Sequence, residues 1–231
     1  MTGTVRETSI AALAAALEGR ASATDRRYLV GIAGPPGAGK STLSGGLCAA
    51  LNARAGRRIA EIAPMDGYHL PNARLDEMGR RAAKGEPDTF DSAGYVQNLA
   101  RLRGLPLGAP VEWPTFDRTL DEPTPAGVVF AAERIVVTEG NYLLVDDPGL
   151  GAWPEVRALL DECWYLDAGR AVLTERLLRR HLDGGRTDEA ARDKVTSSDL
   201  RNADLVAATR PRADLVLRAE GGRYAVLAKP T

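Results

Sequence analysis

Cysteine is nearly absent, with Cys48 and Cys163 the only two in 231 residues. Two thiols build no disulfide framework, and neither sits in a CxxC pair or a Cys/His cluster of the kind that holds zinc. The expectation is a reducing, cytoplasmic setting. Long apolar runs are missing as well. Ile10 to Leu17 (IAALAAAL) is too short to span a bilayer and lacks a basic leading region, so it reads neither as an anchor nor as a targeting signal. Its Ile10, Leu13 and Leu17 recur at helical spacing behind Thr8 or Ser9, which predicts an amphipathic helix packed on the domain. Neither sign of charge dominates: the net charge is −1 and the pI is near 6.2. That balance gives no global attraction to nucleic acid or to anionic membranes, and neither is expected as a partner.

What is present is an alternation of short apolar runs with helical periods. Tyr28 to Ala33 (YLVGIA) stops in glycine and proline, as a buried parallel strand does. Leu43, Leu47 and Leu51 follow at four-residue steps in a helix closing near Gly56, and Ile59 to Met65 reads as a second strand. Residues 67 to 92 have no clean period apart from a short helix at 72–80; a loop of that length is usually functional. Asp91 or Ser92 caps a helix with Tyr95, Leu99 and Leu102 on one face, and Val111 to Leu120 reads as a strand end entering a loop. Further strands are predicted at 135–138, 163–166, 213–217 and 224–227, with helices at 153–160, 169–182 and 188–208. Asp183-Gly184-Gly185-Arg186 is a hinge-like turn between the last two helices.

The strongest motif is Gly34-Pro35-Pro36-Gly37-Ala38-Gly39-Lys40-Ser41, followed by Thr42, which fits GxxxxGK[ST] in full between a predicted strand and a predicted helix. Glycines let the backbone turn its N–H groups inward as an anion nest, and the helix from residue 41 aims its positive end at the same point. Lys40 supplies a point charge to the β- and γ-phosphates, and the Ser41 hydroxyl is placed to ligate Mg²⁺. Residues 34–42 are thus the expected ATP cradle. The fold expected is a P-loop NTPase α/β class, three-layer α/β/α with a mainly parallel sheet, one domain over 1–231 with a helical lid near 170–210.

A P-loop identifies a nucleotide site rather than a reaction. No guanine-reading NKxD motif is present, and the strand at 135–138 ends in a lone Glu139 rather than the paired acids of motor ATPases. A kinase is favoured. Ligands of parallel sheets bind beyond the carboxyl ends of the strands, where Asp66 and Glu139 both stand, each followed by glycine. Asp66 is read as the base that orients an acceptor hydroxyl, and Glu139 as serving Mg²⁺ or the acceptor.

Asp66-Gly67-Tyr68-His69-Leu70, Pro114-Thr115-Phe116-Asp117-Arg118, Glu139-Gly140-Asn141-Tyr142-Leu143-Leu144 and Thr209-Arg210-Pro211-Arg212-Ala213 follow the P-loop in that order. The set resembles the phosphoribulokinase/uridine kinase/bacterial pantothenate kinase family, in particular its nucleoside/nucleotide kinase-like, fructose-transport-associated branch. The likeness runs from about residue 28 to about residue 218. It implies that Asp66 is the catalytic base, that the loop bearing Phe116, Asp117 and Arg118 contacts the acceptor together with His69, Glu139 and Asn141, and that Arg180 is the lid arginine reaching the phosphates. Arg186, past the glycine hinge, is the second lid candidate; closing guanidinium groups would neutralise the transferring group and exclude water.

The function expected is transfer of the γ-phosphoryl group of ATP to a hydroxyl of a small metabolite: a sugar or polyol, a nucleoside, or a pantothenate-like compound. A nucleoside monophosphate kinase, with Arg74, Arg80, Arg81 and Arg118 near the acceptor, and a P-loop regulator or GTPase are the alternatives. A homodimer is left open.

Overall fold

The computed structural model of the protein describes residues 6–227. Its main sheet has seven strands in the order β1-β9-β8-β7-β2-β6-β3. These are β1 (Arg6–Thr8), β2 (Tyr28–Ala33), β3 (Ala60–Pro64), β6 (Ile135–Gly140), β7 (Glu162–Asp167), β8 (Leu215–Glu220) and β9 (Arg223–Leu227). Strands β3, β6, β2, β7 and β8 run parallel, while β9 turns back on β8 and β1 is antiparallel to β9. β2 lies between β6 and β7 in the middle of the parallel strands, and its carboxyl end, where ligands of such sheets bind, is where the P-loop begins.

Alternation along β2 explains the layers. Val30 and Ile32 join one cluster with Leu43, Leu47 and Leu51 of α2 (Lys40–Ala55) and Leu13 and Leu17 of α1 (Ile10–Ala21). Leu29 and Ala33 join the other, with Tyr95, Leu99 and Leu102 of α4 (Ser92–Gly104) and Trp153 and Val156 of α5 (Trp153–Leu159). Each fully buried leucine contributes about 1.5–3 kcal/mol. The result is a three-layer α/β/α molecule with a mostly parallel sheet, as expected. No helix among the described residues is long and apolar enough to cross a membrane.

Four features differ from the sequence expectation. The period-free stretch after β3 folds into 3₁₀ turns around a helix, α3, that spans only Asn72–Glu77. Residues 111–120 do not fade into a loop: β4 (Val111–Asp117) pairs with β5 (Glu122–Phe130) in a separate two-stranded hairpin. Pro123, Pro125 and Gly127 hide β5 from a pattern search, and an exposed edge strand tolerates them. The helix expected over 188–208 is interrupted: α7 (Asp188–Lys194) passes through a π-turn at Val195–Asp199 into α8 (Leu200–Ala208). The short β1 lies outside any apolar run and exists only through its pairing with β9.

Arg27, completely buried, ties the foot of β2 to the chain on either side of the hairpin. Its guanidinium donates to the carbonyls of Leu105, Pro106, Ala109 and Ala131, at 3.1, 3.4, 3.0 and 2.8 Å. Arg27→Met should leave those carbonyls without their donor and lower stability by about 3 kcal/mol or more. The check is a fall in the urea midpoint at unchanged m-value.

Candidate active site

The P-loop leaves β2 and enters α2 through Gly39, whose φ of +101° is left-handed. Lys40 is buried beneath it. Its ammonium donates to the carbonyls of Gly34 (2.9 Å) and Pro35 (3.1 Å) and to Asn141 Oδ1 (2.7 Å). Burial lowers its pKa to about 8, against the pull of Glu139 and Asp66. Glu139, at the end of β6, accepts from Ser41 Oγ at 2.9 Å. Burial raises its pKa, and Asp66 adds to the rise; Lys40, Ser41 and Arg118 oppose it. Ser41 is thus joined directly to Glu139, and Lys40 and Asp66 both act on the Glu139 carboxylate electrostatically.

Two glycines allow that convergence. A Cβ on Gly67 would stand 2.0 Å from the carbonyl oxygen of Pro114, so only glycine lets the hairpin lie against the Asp66 turn. A Cβ on Gly140 would meet the Cβ and Sδ of Met65 at 2.5 Å. The glycine after each carboxylate therefore serves close packing of β6, the Met65–Tyr68 turn and the hairpin on one another. Trp113 Nε1 completes the anchorage, donating to Pro64 O at 3.0 Å.

Arg118 Nη2 pairs with Asp66 Oδ2 at 3.1 Å. Asp117 is occupied differently: its Oδ1 accepts from the amides of Thr119 (2.8 Å) and Leu120 (3.0 Å), capping the hairpin turn. The ring of Phe116 lies 4.9 Å from that of His69, which stacks on Phe90 at 4.0 Å. Burial lowers the His69 pKa to about 4, and its Nδ1 is buried without a partner. His69 is therefore a neutral imidazole near pH 7, able to hydrogen-bond a polar group without adding charge.

On the other side of β2, Arg176 of α6 (Arg170–Asp183) donates to the carbonyls of Gly37 and Ala38, both at 3.2 Å. Sequence reasoning did not single it out from its neighbours; only the packing of α6 on the P-loop does. A cavity of about 230 Å³ opens here, lined by Gly39, Thr42, Leu166, Arg176, Ala219 and Tyr224. Arg180 lies close enough to Lys40 to depress its pKa. Arg179, Arg180 and Arg186 are exposed, and none forms an ion pair among the described residues. The Thr209–Ala213 motif is structural: Arg212 Nη1 donates to Leu144 O at 2.5 Å, bracing the segment that follows Asn141.

The hydroxyl of Ser41 and the carboxylate of Glu139 are hard oxygen donors set side by side, which suits a divalent cation that shares its ligands with phosphate. No group of three or more His, Cys, Asp or Glu side chains forms a metal cage among the described residues.

A strand, an amide nest, a helix and a crevice of carboxylates beyond the parallel strands define a P-loop kinase. The phosphoribulokinase / uridine kinase family model matches residues 29–222, and the chain belongs to that family. It is 35% identical over 200 residues to a candidate uridine kinase of Schizosaccharomyces pombe, covering 84% of this chain and 83% of the relative. A crystal structure of a candidate fructose transport system kinase from Silicibacter sp. TM1040 superposes with a TM-score of 0.81 at 38% identity, covering 90% of this chain and 98% of the other. YFH7 of Saccharomyces cerevisiae, a candidate P-loop kinase with a circular permutation, shares the fold at a TM-score of 0.78 and 20% identity, covering 92% of this chain and all of the other. The protein is an ATP-dependent phosphotransferase, and its family implies a divalent metal with the nucleotide.

The depressed His69 pKa has a consequence for stability. The unfolded chain binds a proton at this histidine near pH 6.5, while the folded chain resists it until about pH 4. Stability from this group is whole above about 6.5 and drains away as the pH falls toward 4. The urea midpoint of His69→Gln should therefore fall less than that of the wild type between pH 7 and pH 4.

Proposed function

We propose that the protein transfers the γ-phosphoryl group of ATP to a hydroxyl of a small metabolite. The observation that carries this reading is the convergence of Lys40, Ser41, Glu139 and Asp66 at the mouth of the P-loop crevice. In the reaction, the P-loop amides and Lys40 hold the β- and γ-phosphates. Lys40 exchanges its resting partners, two loop carbonyls and Asn141, for phosphate oxygens. Ser41 and Glu139 would hold Mg²⁺, which would supply neutralisation of phosphate charge. Asp66 turns the acceptor hydroxyl toward the γ-phosphorus and takes its proton. Arg118 leaves Asp66 for the acceptor, with neutral His69 and Phe116 forming the wall against which the acceptor lies. Arg180 and Arg186 close as a lid over the transferring group and keep water out.

The adenine enters the cavity beside Arg176, on the β7 side of β2, while the acceptor enters on the β3–β6 side; the phosphates thread between them. The acceptor class is a sugar or polyol, or a nucleoside, in keeping with the relatives named for uridine and for fructose transport. A cytoplasmic, reduced setting suits the two buried free thiols.

Asp66→Asn should lower turnover about 10²- to 10⁴-fold while nucleotide affinity stays within about twofold. An ADP-release assay over a panel of sugars, polyols and nucleosides, with nucleotide binding by calorimetry, provides the check; unchanged turnover on the accepted compound sinks the assignment. Arg176→Ala should raise the KM for ATP about tenfold with little effect on the acceptor KM, the signature of lost uniform binding.

A further inference from the structure

The segment from Arg80 to Asp88 contains only single 3₁₀ turns and pairs with no strand, yet it is held from three directions. From α7, Lys194 Nζ donates to the carbonyls of Ala82 (3.0 Å) and Lys84 (3.1 Å), and to Ser198 Oγ in the π-turn (3.2 Å). From α8, Arg201 Nη2 reaches Glu86 Oε1 at 3.2 Å. From the end of β6, the Tyr142 hydroxyl donates to Gly85 O at 2.5 Å. Lys84 then continues outward. Its ammonium donates to Asn72 Oδ1 (2.7 Å), pairs with Asp121 Oδ2 at the hairpin tip (3.0 Å) and lies 4.9 Å from the Phe116 ring. One residue thus has its main chain gripped by the α7–α8 arm and its side chain gripping the hairpin that carries Phe116 and Arg118.

Lys194 is the hub on the arm. It is half-buried, and burial lowers its pKa, with Asp199 and Glu86 supporting its charge and Arg186 and Arg180 opposing it. Both α7 and the π-turn pack against α6, the helix that carries Arg180. The π-turn that follows it is a widened insertion of the kind often found at functional joints. Ammonium-to-carbonyl bonds are charge-assisted and hold a segment in register with the element that donates them. Coupling between two sites needs such an element that both can bias.

We propose that Lys194 is a positioning residue coupling the phosphate side of the site to the acceptor side. When the arm closes over a nucleotide, Lys194 carries the 80–86 segment with it, and Lys84 passes the movement to the hairpin tip. The acceptor wall is then set only in the nucleotide-bound enzyme. This rests on the nucleotide reading of the P-loop above.

The test is amide hydrogen exchange on the full chain with and without the non-hydrolysable analogue Mg-AMP-PNP. In the wild type, exchange should slow about tenfold at 34–42 and also at 80–90 and 115–122. Lys194→Met should keep the response at 34–42 and lose it at the other two segments. Lys194→Arg, which can still donate to both carbonyls, should restore it. Lys84→Met should lose the response at 115–122 alone, and it carries the question should Lys194→Met fail to fold. A hairpin response that survives Lys194→Met or Lys84→Met overturns the coupling, as does a wild-type hairpin indifferent to the analogue while 34–42 is protected. No protection at 34–42 in the wild type overturns the nucleotide reading, and this inference with it.

Discussion

Lys40 and Glu139 are buried in the same crevice, and the cost of charge in that dry setting constrains everything around them. Burial alone drives the lysine toward its neutral amine and the glutamate toward its neutral acid. Each opposes that drift in the other, helped by polar partners within hydrogen-bond reach: Asn141 and two loop carbonyls for the lysine, Ser41 for the glutamate. A paired, hydrogen-bonded charge tolerates a dry site; a single one does not. Asp66 adds a second negative charge to this unit, and Arg118 answers it from the hairpin. The balance is local, so any ligand that brings phosphate and cation into the crevice must rearrange it.

That arrangement depends on backbones approaching more closely than side chains would permit. Gly67 lets the Pro114 carbonyl lie against the Asp66 turn, and Gly140 lets Met65 pack over the end of β6. Both glycines follow a carboxylate, so the residue that does chemistry and the residue that makes room for it are neighbours in the chain. The indole of Trp113 then fastens the hairpin to β3. On the opposite side the arginines of α6 beyond Arg176 stay exposed.

The parallel sheet, the P-loop and the two strand-end carboxylates were legible without coordinates, because each rests on short-range chemistry. An apolar run that stops in Gly-Pro predicts β2, and the Gly34–Ser41 spacing predicts a nest and a helix. Asp66 and Glu139 were legible by their place after apolar strands. Other elements were silent. The β5 strand carries prolines that argue against a strand, and its pairing with β4 is set by turn geometry and by contact with the Asp66 turn. The π-turn at 195–199 has a helical sequence; its widening comes with the grip of Lys194 and Ser198 on the 80–86 segment.

The amino-acid sequence by itself determined which residues can bind phosphate and which strands end in carboxylates, since spacing of three to eight residues decides those properties within one turn of backbone. Only the tertiary structure decided that Arg118 meets Asp66, that Asp117 caps a turn instead, and that Lys84 joins the arm to the hairpin. Arg118 and Asp66 are 52 positions apart and Lys84 lies 110 positions from Lys194 and 37 from Asp121, whereas the Asp117 cap is local. The long-range ones have no periodic signature, because they arise where independently folded segments are brought together by burial of the faces they share.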